Sequence, residues 1–205
     1  MLFEHLDASD VPQRLETDEF TLRPIARDDV ELDYAAVMES REYLRPWEQT
    51  GWPADDFTVE QDLDDLIVLE ERHRARQAFT WTMLDPAETT CLGCVYLMAP
   101  DARTYRESRI VPVGDARWED YGALANFWVR TSRLATGIDA RLLAAIQSWF
   151  AEHPRLGRTL FVTNEEVRQQ VELFEESGLR LRFRIERDIY SGAYLAYDEA
   201  DRTGP

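Results

Sequence analysis

The chain has 205 residues, of which 44% are hydrophobic and 11% aromatic. This length and composition predict one domain over residues 1–205, with residues 1–17 as a polar lead-in. The chain carries 40 acidic side chains against 23 basic ones, a formal net charge of −17, and every basic side chain is an arginine. Such a surface repels nucleic acid, and a chain without lysine excludes a Schiff-base mechanism and a P-loop lysine.

Neither a membrane span nor a secretion signal is predicted. No apolar run reaches the length that crosses a bilayer. The first ten residues, MLFEHLDASD, contain neither the basic nor the apolar region of a signal peptide. We therefore expect a cytoplasmic protein that does not contact a membrane.

The first half of the chain alternates between strand and helix patterns. In chain order, the predicted elements are a strand at 20–25, a helix that begins near Asp28 or Asp29, a loop at 41–57 rich in Trp and Pro, and a helix at 59–76. Thr58 and Gln61 form the capping-box pattern that begins the second helix.

The second half adds more strands than helices. The predicted elements are strands at 78–85 and 90–100, an irregular segment at 101–121 with a short strand at "RIVPV", a strand at 123–129, a helix at 138–153, a strand at 157–163, a helix at 164–178, and strands at 179–188 and 191–199. This order predicts a mixed α/β (α+β) sheet with helices on both faces. The helix at 138–153 would join two parallel strands, and ligands bind outside the carboxyl ends of such strands.

One loop lies at that carboxyl end. It reads "RTSRLATGIDARLL" and contains one glycine, Gly137, before the helix. A strand, a glycine-containing loop and a helix can hold a phosphate group on backbone N–H groups. Phosphate loops usually carry two or three glycines, so two interpretations remain: a phosphate cradle, or only the start of a helix.

The two cysteines, Cys91 and Cys94, form a C-x-x-C pattern, which is typical of zinc and redox sites. A structural zinc site needs four ligands. The chain has no second C-x-x-C pair, and its three histidines are scattered. We therefore expect no metal, and two reduced, partly buried thiols on a strand.

Four segments together carry a family resemblance: "TDEFTLRPIARDDVELDYAAVMESREYL", "CLGCVYL", "ANFWVRTSRLATGIDARLLAAIQSWF" and "ESGLRLRFR". They resemble the GNAT N-acetyltransferase superfamily, nearest to its ribosomal-protein N-terminal acetyltransferase branch, over about residues 15–197. The resemblance implies a mostly antiparallel central sheet of about six to seven strands. It also implies a splayed parallel pair at strands 4 and 5, counted along the family's core strands.

The resemblance further implies acetyl-CoA as cosubstrate, lying between the splayed strands, with its pyrophosphate on the N–H groups of the loop and the next helix turn. An amine would attack the thioester directly. The residues that would bind acetyl-CoA are Trp128, Val129, Arg130, Arg133, Leu134, Ala135, Thr136, Gly137, Ile138, Asp139, Ala140, Arg141 and Asn164.

The sequence departs from the family pattern at four places. Leu134 stands at the first position of the loop, where the family has Gln or Arg, although Arg133 is one residue away. Asp139 replaces the last small residue of the loop, and either faces solvent as a helix-start residue or repels the cofactor. The fourth strand lacks the family's carboxylate, and Phe174 stands where a tyrosine often serves as acid. Asn164 is either the family's asparagine or the N-cap of the next helix. The base therefore stays open, with Glu39, His73, Tyr96, Glu119 and Asp120 as candidates.

Two functions follow. The first is an acetyl-CoA-dependent N-acetyltransferase that acts on a primary amine, either a protein N-terminus or a small molecule. The alternative is a catalytically weak module that binds acyl-CoA or another ligand. Neither needs nucleic acid, a membrane or a metal. A homodimer stays open, because the resembled family is often dimeric.

Overall fold

The structure is a computed structural model that describes residues 3, 5–189 and 191–199. Its strands are β1 (Leu15–Glu16), β2 (Thr21–Pro24), β3 (Ala78–Leu84), β4 (Cys91–Met98), β5 (Arg109–Pro112), β6 (Tyr121–Val129), β7 (Arg158–Asn164), β8 (Leu179–Glu186) and β9 (Tyr194–Glu199). Its helices are α1 (Val30–Glu39), α2 (Arg41–Glu48), α3 (Val59–Arg74), α4 (Arg103–Arg106), α5 (Thr131–Leu134), α6 (Ile138–Ala151) and α7 (Arg168–Glu176).

The strands form one mixed sheet in the order β1-β2-β3-β4-β6-β7-β9-β8-β5. Neighbouring strands are antiparallel except β6 and β7, which are parallel. This confirms the predicted mixed sheet with one parallel pair. Over the described residues the sheet has nine strands, because the short β1 and β5 pair at its two edges.

Helices cover both faces of the sheet. One face buries the apolar side of α6, including Leu142, Leu143 and Ile146, and the inner side of α7, including Phe174. The other face buries residues of α1 and α2, such as Val37. The predicted helix at 59–76 is confirmed as α3, with the Thr58–Gln61 capping box formed in both directions.

The segment at 41–57 was expected to be a loop, and its first part is instead the helix α2. Leu44 and Trp47 lie three residues apart and are buried at 0% and 7% exposure. That spacing puts both side chains on one face of a helix. The free energy gained by burying them outweighs the destabilisation caused by Pro46 inside the helix.

The described part of the lead-in, residues 3 and 5–17, also packs more closely than its polar composition indicates. Phe3, Leu6 and Val11 are buried in the same core as α6. The indole Nε1 of Trp81 donates a hydrogen bond of 2.9 Å to the carbonyl oxygen of Pro12.

A β-bulge in β4 decides where the C-x-x-C side chains point. Met83 pairs with Gly93 and Leu84 pairs with Cys91, so Leu92 is the extra residue of the bulge. In a regular strand, side chains three positions apart face opposite sides. The bulge instead brings Cys91 and Cys94 to the α1 face, while Leu92 faces the α6 core.

Gly93 is required at this bulge. Its φ is +146°, and a Cβ atom there would overlap the backbone carbonyl oxygen of Trp128. Both neighbouring thiols are free, and they are fully buried where the sequence predicted partial burial. Among the described helices, none combines the length and apolar character needed to cross a membrane.

Candidate active site

The two parallel strands separate towards their carboxyl ends. Their last paired positions are Ala125 on β6 and Phe161 on β7. Beyond these positions β6 continues to Val129 and β7 to Asn164. A V-shaped gap therefore opens between the strands at the edge where the loop with Gly137 lies.

Side chains of α7 bridge this gap. Gln170 is 1% exposed, and its Nε2 donates a hydrogen bond of 2.9 Å to the carbonyl oxygen of Phe127 on β6. Its Oε1 accepts a hydrogen bond of 2.6 Å from the hydroxyl of Thr163 on β7. One buried amide thus satisfies a polar group on each arm of the gap.

The residues predicted to bind acetyl-CoA lie around the mouth of the gap. Trp128 and Val129 end β6, Arg130 to Gly137 form the loop and α5, Ile138 to Arg141 form the first turn of α6, and Asn164 ends β7. The structure therefore brings the whole predicted set to one edge of the sheet.

Gly137 has the left-handed conformation, with φ 70°, and α6 begins at the next residue. Glycine has no side chain to cap the helix, so the first N–H groups of α6 are directed to an outside acceptor. The Arg141 guanidinium donates hydrogen bonds to the carbonyl oxygens of Thr136 and Gly137, at 3.0 and 3.1 Å. The loop thus presents N–H groups and the positive end of a 14-residue helix.

Asp139 is 6% exposed, so the interpretation that it faces solvent is wrong. Its Oδ2 accepts a hydrogen bond from Nε2 of Gln169 on α7. The carboxylate is therefore turned towards α7, and it ties the first turn of α6 to the helix that bridges the gap.

Glu39 lies beside the loop. It forms an ion pair of 2.5 Å with Arg130 and accepts a hydrogen bond from the backbone N–H of Ser132. The hydrogen bond from Arg130 lowers the pKa of Glu39 to about 2. A carboxylate held ionised in this way is a weak proton acceptor.

A cleft of about 530 Å³ meets the gap on the face opposite α6. Asn126 and Val162 follow the last paired positions of β6 and β7, and both line the cleft. The point where the strands separate therefore forms part of the cleft wall. A volume of this size suits a small molecule or the terminal residues of a peptide.

The cleft walls combine aromatic rings with acidic groups. Trp47, Trp52 and Tyr96 line it, and the ring centroids of Trp47 and Tyr96 are 5.9 Å apart. Glu48 and Asp65 supply two carboxyl groups.

One wall atom has an unused hydrogen-bond capacity. Oδ1 of Asn126 is buried and accepts no hydrogen bond from the described part of the chain. The described residues therefore leave the hydrogen-bonding capacity of this oxygen unused.

Burial, with a smaller contribution from the charge of Asp65, raises the pKa of Glu48 to about 7. Burial also raises the pKa of Tyr96 well above its ordinary value. The Tyr96 hydroxyl oxygen accepts a hydrogen bond of 3.2 Å from Nε1 of Trp128. At neutral pH Tyr96 therefore stays protonated, whereas Glu48 is present in both forms.

Glu48 was missed by the sequence analysis. It ends α2, inside the segment predicted as a loop, and no local pattern sets it apart from the chain's other acidic residues. Only the fold shows that this carboxyl group lies on the cleft wall.

The other candidate bases lie elsewhere. Nδ1 of His73 is 2.8 Å from the carbonyl oxygen of Thr80, and the imidazole ring packs edge-on against Trp81. Glu119 and Asp120 lie in an exposed 3-10 turn and do not line the cleft.

Asn164 does not cap α7, because that helix begins at Arg168 after Val167. Its Oδ1 instead accepts a hydrogen bond of 2.8 Å from the backbone N–H of Glu166. Its Nδ2 is buried and has no hydrogen-bond partner among the described residues. Phe174 is 0% exposed and packs against Phe127, so it cannot supply a proton.

Comparison with known proteins identifies the fold. No family model and no curated protein matches the sequence. Solved structures do match. The ribosomal-protein-S5-alanine acetyltransferase from Vibrio fischeri aligns with a TM-score of 0.65 at 18% identity, over 94% of this chain and 99% of that one. RimJ from Mycobacterium smegmatis in complex with CoA-disulfide aligns with a TM-score of 0.68 at 18% identity, over 92% of this chain and 87% of that one.

A third match is the microcin C7 self-immunity acetyltransferase MccE in complex with acetyl-CoA and AMP. Its TM-score is 0.68 at 14% identity, over 95% of this chain and 99% of that one. The chain therefore has the fold of the GNAT acetyltransferases. The structures that it resembles include acetyltransferases of ribosomal proteins.

Proposed function

We propose that this protein is an acetyl-CoA-dependent N-acetyltransferase that acts on a primary amine. The observation that carries the proposal is the junction of the gap and the cleft, where Asn126 and Val162 follow the last paired positions of β6 and β7. The gap side of this junction would hold the thioester of acetyl-CoA, and the cleft side would hold the acceptor amine.

The residues around the gap fit acetyl-CoA. The N–H groups from Ile138 to Ala140 would hold the pyrophosphate at the start of α6. Nδ2 of Asn164, which no described residue hydrogen-bonds, would donate to a carbonyl oxygen within the gap. When bound, acetyl-CoA supplies a thioester carbonyl that an amine can attack.

The cleft residues would bind and deprotonate the acceptor. Oδ1 of Asn126 would accept a hydrogen bond from the amine N–H. The faces of Trp47 and Tyr96 would attract an ammonium group before its proton is lost. Glu48 would take that proton, since a base with a pKa near the working pH is the most effective.

We propose an acceptor amine that carries an apolar group, either on a small molecule or at a protein N-terminus. Aromatic side chains form much of the cleft wall, and its two carboxyl groups, set against the single arginine Arg72, favour a cation. Several similar structures are acetyltransferases of ribosomal proteins, which supports a protein N-terminus as one acceptor. We propose one domain acting in the cytoplasm, where the two free thiols would stay reduced.

The alternative is a module that binds acyl-CoA without efficient transfer. The observation in its favour is that Gln170 already occupies the Phe127 carbonyl inside the gap, while Phe174 offers no proton. Under this alternative the fold still binds the nucleotide end of the cofactor, but the reacting groups do not meet.

One assay separates the two functions. The chain is incubated with acetyl-CoA and a panel of amines, and release of the CoA thiol is followed. The panel contains short peptides with free N-termini, their N-acetylated counterparts and small aromatic amines. The enzyme releases thiol only with free amines. Binding of acetyl-CoA without amine-dependent thiol release would favour the module.

A further inference from the structure

One face of α3 lines the cleft over two helical turns. Asp65, Val68, Leu69 and Arg72 all lie on the cleft wall, at the i, i+3, i+4 and i+7 spacing of a single helix face. The α carbons of Asp65 and Arg72 are therefore about 10 Å apart along the helix. This face has a carboxylate at one end, two apolar side chains in the middle and a guanidinium at the other end.

The Asp65 end lies where the two parallel strands separate. The charge of Asp65 acts on Glu48. Glu48 follows Trp47, whose ring centroid is 5.9 Å from that of Tyr96. Tyr96 in turn pairs with Asn126, which lines the junction of cleft and gap. The acidic groups of the cleft are therefore at the end where the amine would lose its proton.

Arg72 lies at the opposite end. Its backbone carbonyl oxygen accepts a hydrogen bond of 2.9 Å from the N–H of Gln77. The next residue, Ala78, pairs with Met98 on β4. Met98 lines the cleft two residues beyond Tyr96, which is about 7 Å further along the strand. The cleft thus runs from acidic groups at the junction to an arginine at its outer end.

No described acidic side chain pairs with Arg72. Two arginines near it, Arg27 and Arg74, both pair with Glu70, whereas the Arg72 guanidinium forms neither an ion pair nor a hydrogen bond within the described part of the chain. Thr104 of α4 adds a hydroxyl group to the cleft wall. A guanidinium offers five N–H donors in a geometry that matches a carboxylate or a phosphate. The outer end of the cleft can therefore bind an anion.

We propose that the acceptor amine also carries an anionic group, a carboxylate or a phosphate, about 10 Å from its nitrogen atom, and that Arg72 binds this group. The apolar part of the acceptor would cover Leu69 and Val68, which is 44% exposed. Three extended peptide residues span about 10 Å, so a peptide with an acidic third residue and a straight-chain ω-amino acid share the required chemistry. The inference rests on the proposed acetyl transfer for the identity of the amine end.

The first test compares acceptors that differ only in the anion. One pair is a tripeptide amide with Asp or Asn as its third residue, and the other is a straight-chain ω-amino acid and its amide. Release of the CoA thiol gives kcat/KM. We expect an acidic acceptor to exceed its amide by about fivefold or more, a preference that added salt reduces. The pair that shows the preference identifies the source. Measurable transfer with ratios near one in both pairs would overturn the inference.

The second test does not depend on transfer. N-acetylated forms of the same four compounds are titrated into the chain with CoA present, and quenching of tryptophan fluorescence gives Kd. An acidic compound should bind about fivefold or more tighter than its amide. This preference without thiol release from any amine would contradict the proposed acetyl transfer and leave the anion site standing. Equal Kd values in both pairs, or no measurable binding of either acidic compound, would overturn the anion site.

Variants then assign the preference to Arg72, an exposed position whose replacement leaves no buried group unpaired. Arg72→Gln should bring the ratio of acid to amide close to one, and Arg72→Lys should keep part of it because the charge remains. The matched control is Arg74→Gln, which removes the same charge from the same helix outside the cleft wall and should keep the full ratio. A ratio that Arg72→Gln leaves unchanged, or that both glutamine variants lower equally, would contradict an anion site at Arg72.

Discussion

The side-chain amide of Gln170 donates a hydrogen bond of 2.9 Å to the backbone carbonyl oxygen of Phe127. This bond crosses the gap between β6 and β7 from the helix that follows β7. Because the same amide accepts from Thr163, Gln170 holds the two arms of the gap at a fixed separation. The geometry of the proposed cofactor site therefore depends on a residue of α7.

Replacing Gln170 with leucine should destabilise the fold. The substitution leaves the Phe127 carbonyl and the Thr163 hydroxyl without a partner in a buried position, and each such group costs about 1–3 kcal/mol. Urea unfolding should show a clear fall in the free energy of unfolding. Gln77→Leu is the control, because Gln77 is exposed. Equal stability of the two variants would show that the bridge has no structural role.

Replacing Glu48 with glutamine should remove the proposed base. In the unaltered enzyme, kcat/KM corrected for the protonation of the amine should fall about tenfold per pH unit below about pH 7, because Glu48, with a pKa of about 7, becomes protonated. In Glu48→Gln this fall of kcat/KM, the acidic limb of the pH profile, should be absent. Its rate should also be lower by about 10²-fold or more.

Asp65→Asn is the matched comparison for Glu48. The negative charge of Asp65 contributes to the raised pKa of Glu48, so its removal should move the same limb to lower pH without abolishing it. A pH profile of Glu48→Gln that keeps its acidic limb would assign the base elsewhere.

Replacing Gly137 with valine should weaken acetyl-CoA binding. A β-branched residue at φ 70° strains the loop, which displaces the N–H groups that would hold the pyrophosphate. Gly114→Val carries the same strain at φ +73°, outside the site. In calorimetric titrations only the Gly137 variant should lose affinity. An equal loss in both variants would mean that the effect is general destabilisation.

Replacing Asp139 with asparagine should tighten acetyl-CoA binding. The substitution removes a negative charge from the first turn of α6, while the side-chain oxygen still accepts from Gln169. Partly screened repulsion of this kind is worth about 1 kcal/mol, or a few-fold to tenfold in Kd. Glu71→Gln, an exposed position on α3, is the control. Weaker binding by Asp139→Asn would show that the carboxylate assists the cofactor.

Most of the fold could be predicted because the residue patterns that define its strands and helices are local in the sequence. The apolar stripe of α6 and the capping box of α3 depend on residues a few positions apart. Helix α2 was missed because Pro46 and two tryptophans nearby are typical of a loop, and only tertiary burial of Trp47 outweighs that local preference.

The sites were harder to predict because their parts come from distant segments. Glu48 reaches the cleft wall from the segment predicted as a loop, and Asn126 reaches it from β6. Asp33 meets Cys91 across 58 positions of sequence, through a bulge that no spacing rule shows. The direction of Asp139 likewise depends on Gln169, 30 positions away.

Binding of acetyl-CoA is the central claim, and thermal unfolding with and without the cofactor tests it most directly. A ligand present at 100 times its Kd adds about 2.7 kcal/mol to the stability of the folded state. We predict a concentration-dependent rise in Tm with acetyl-CoA, and a much smaller rise for Gly137→Val. An unchanged Tm at millimolar acetyl-CoA would contradict the account.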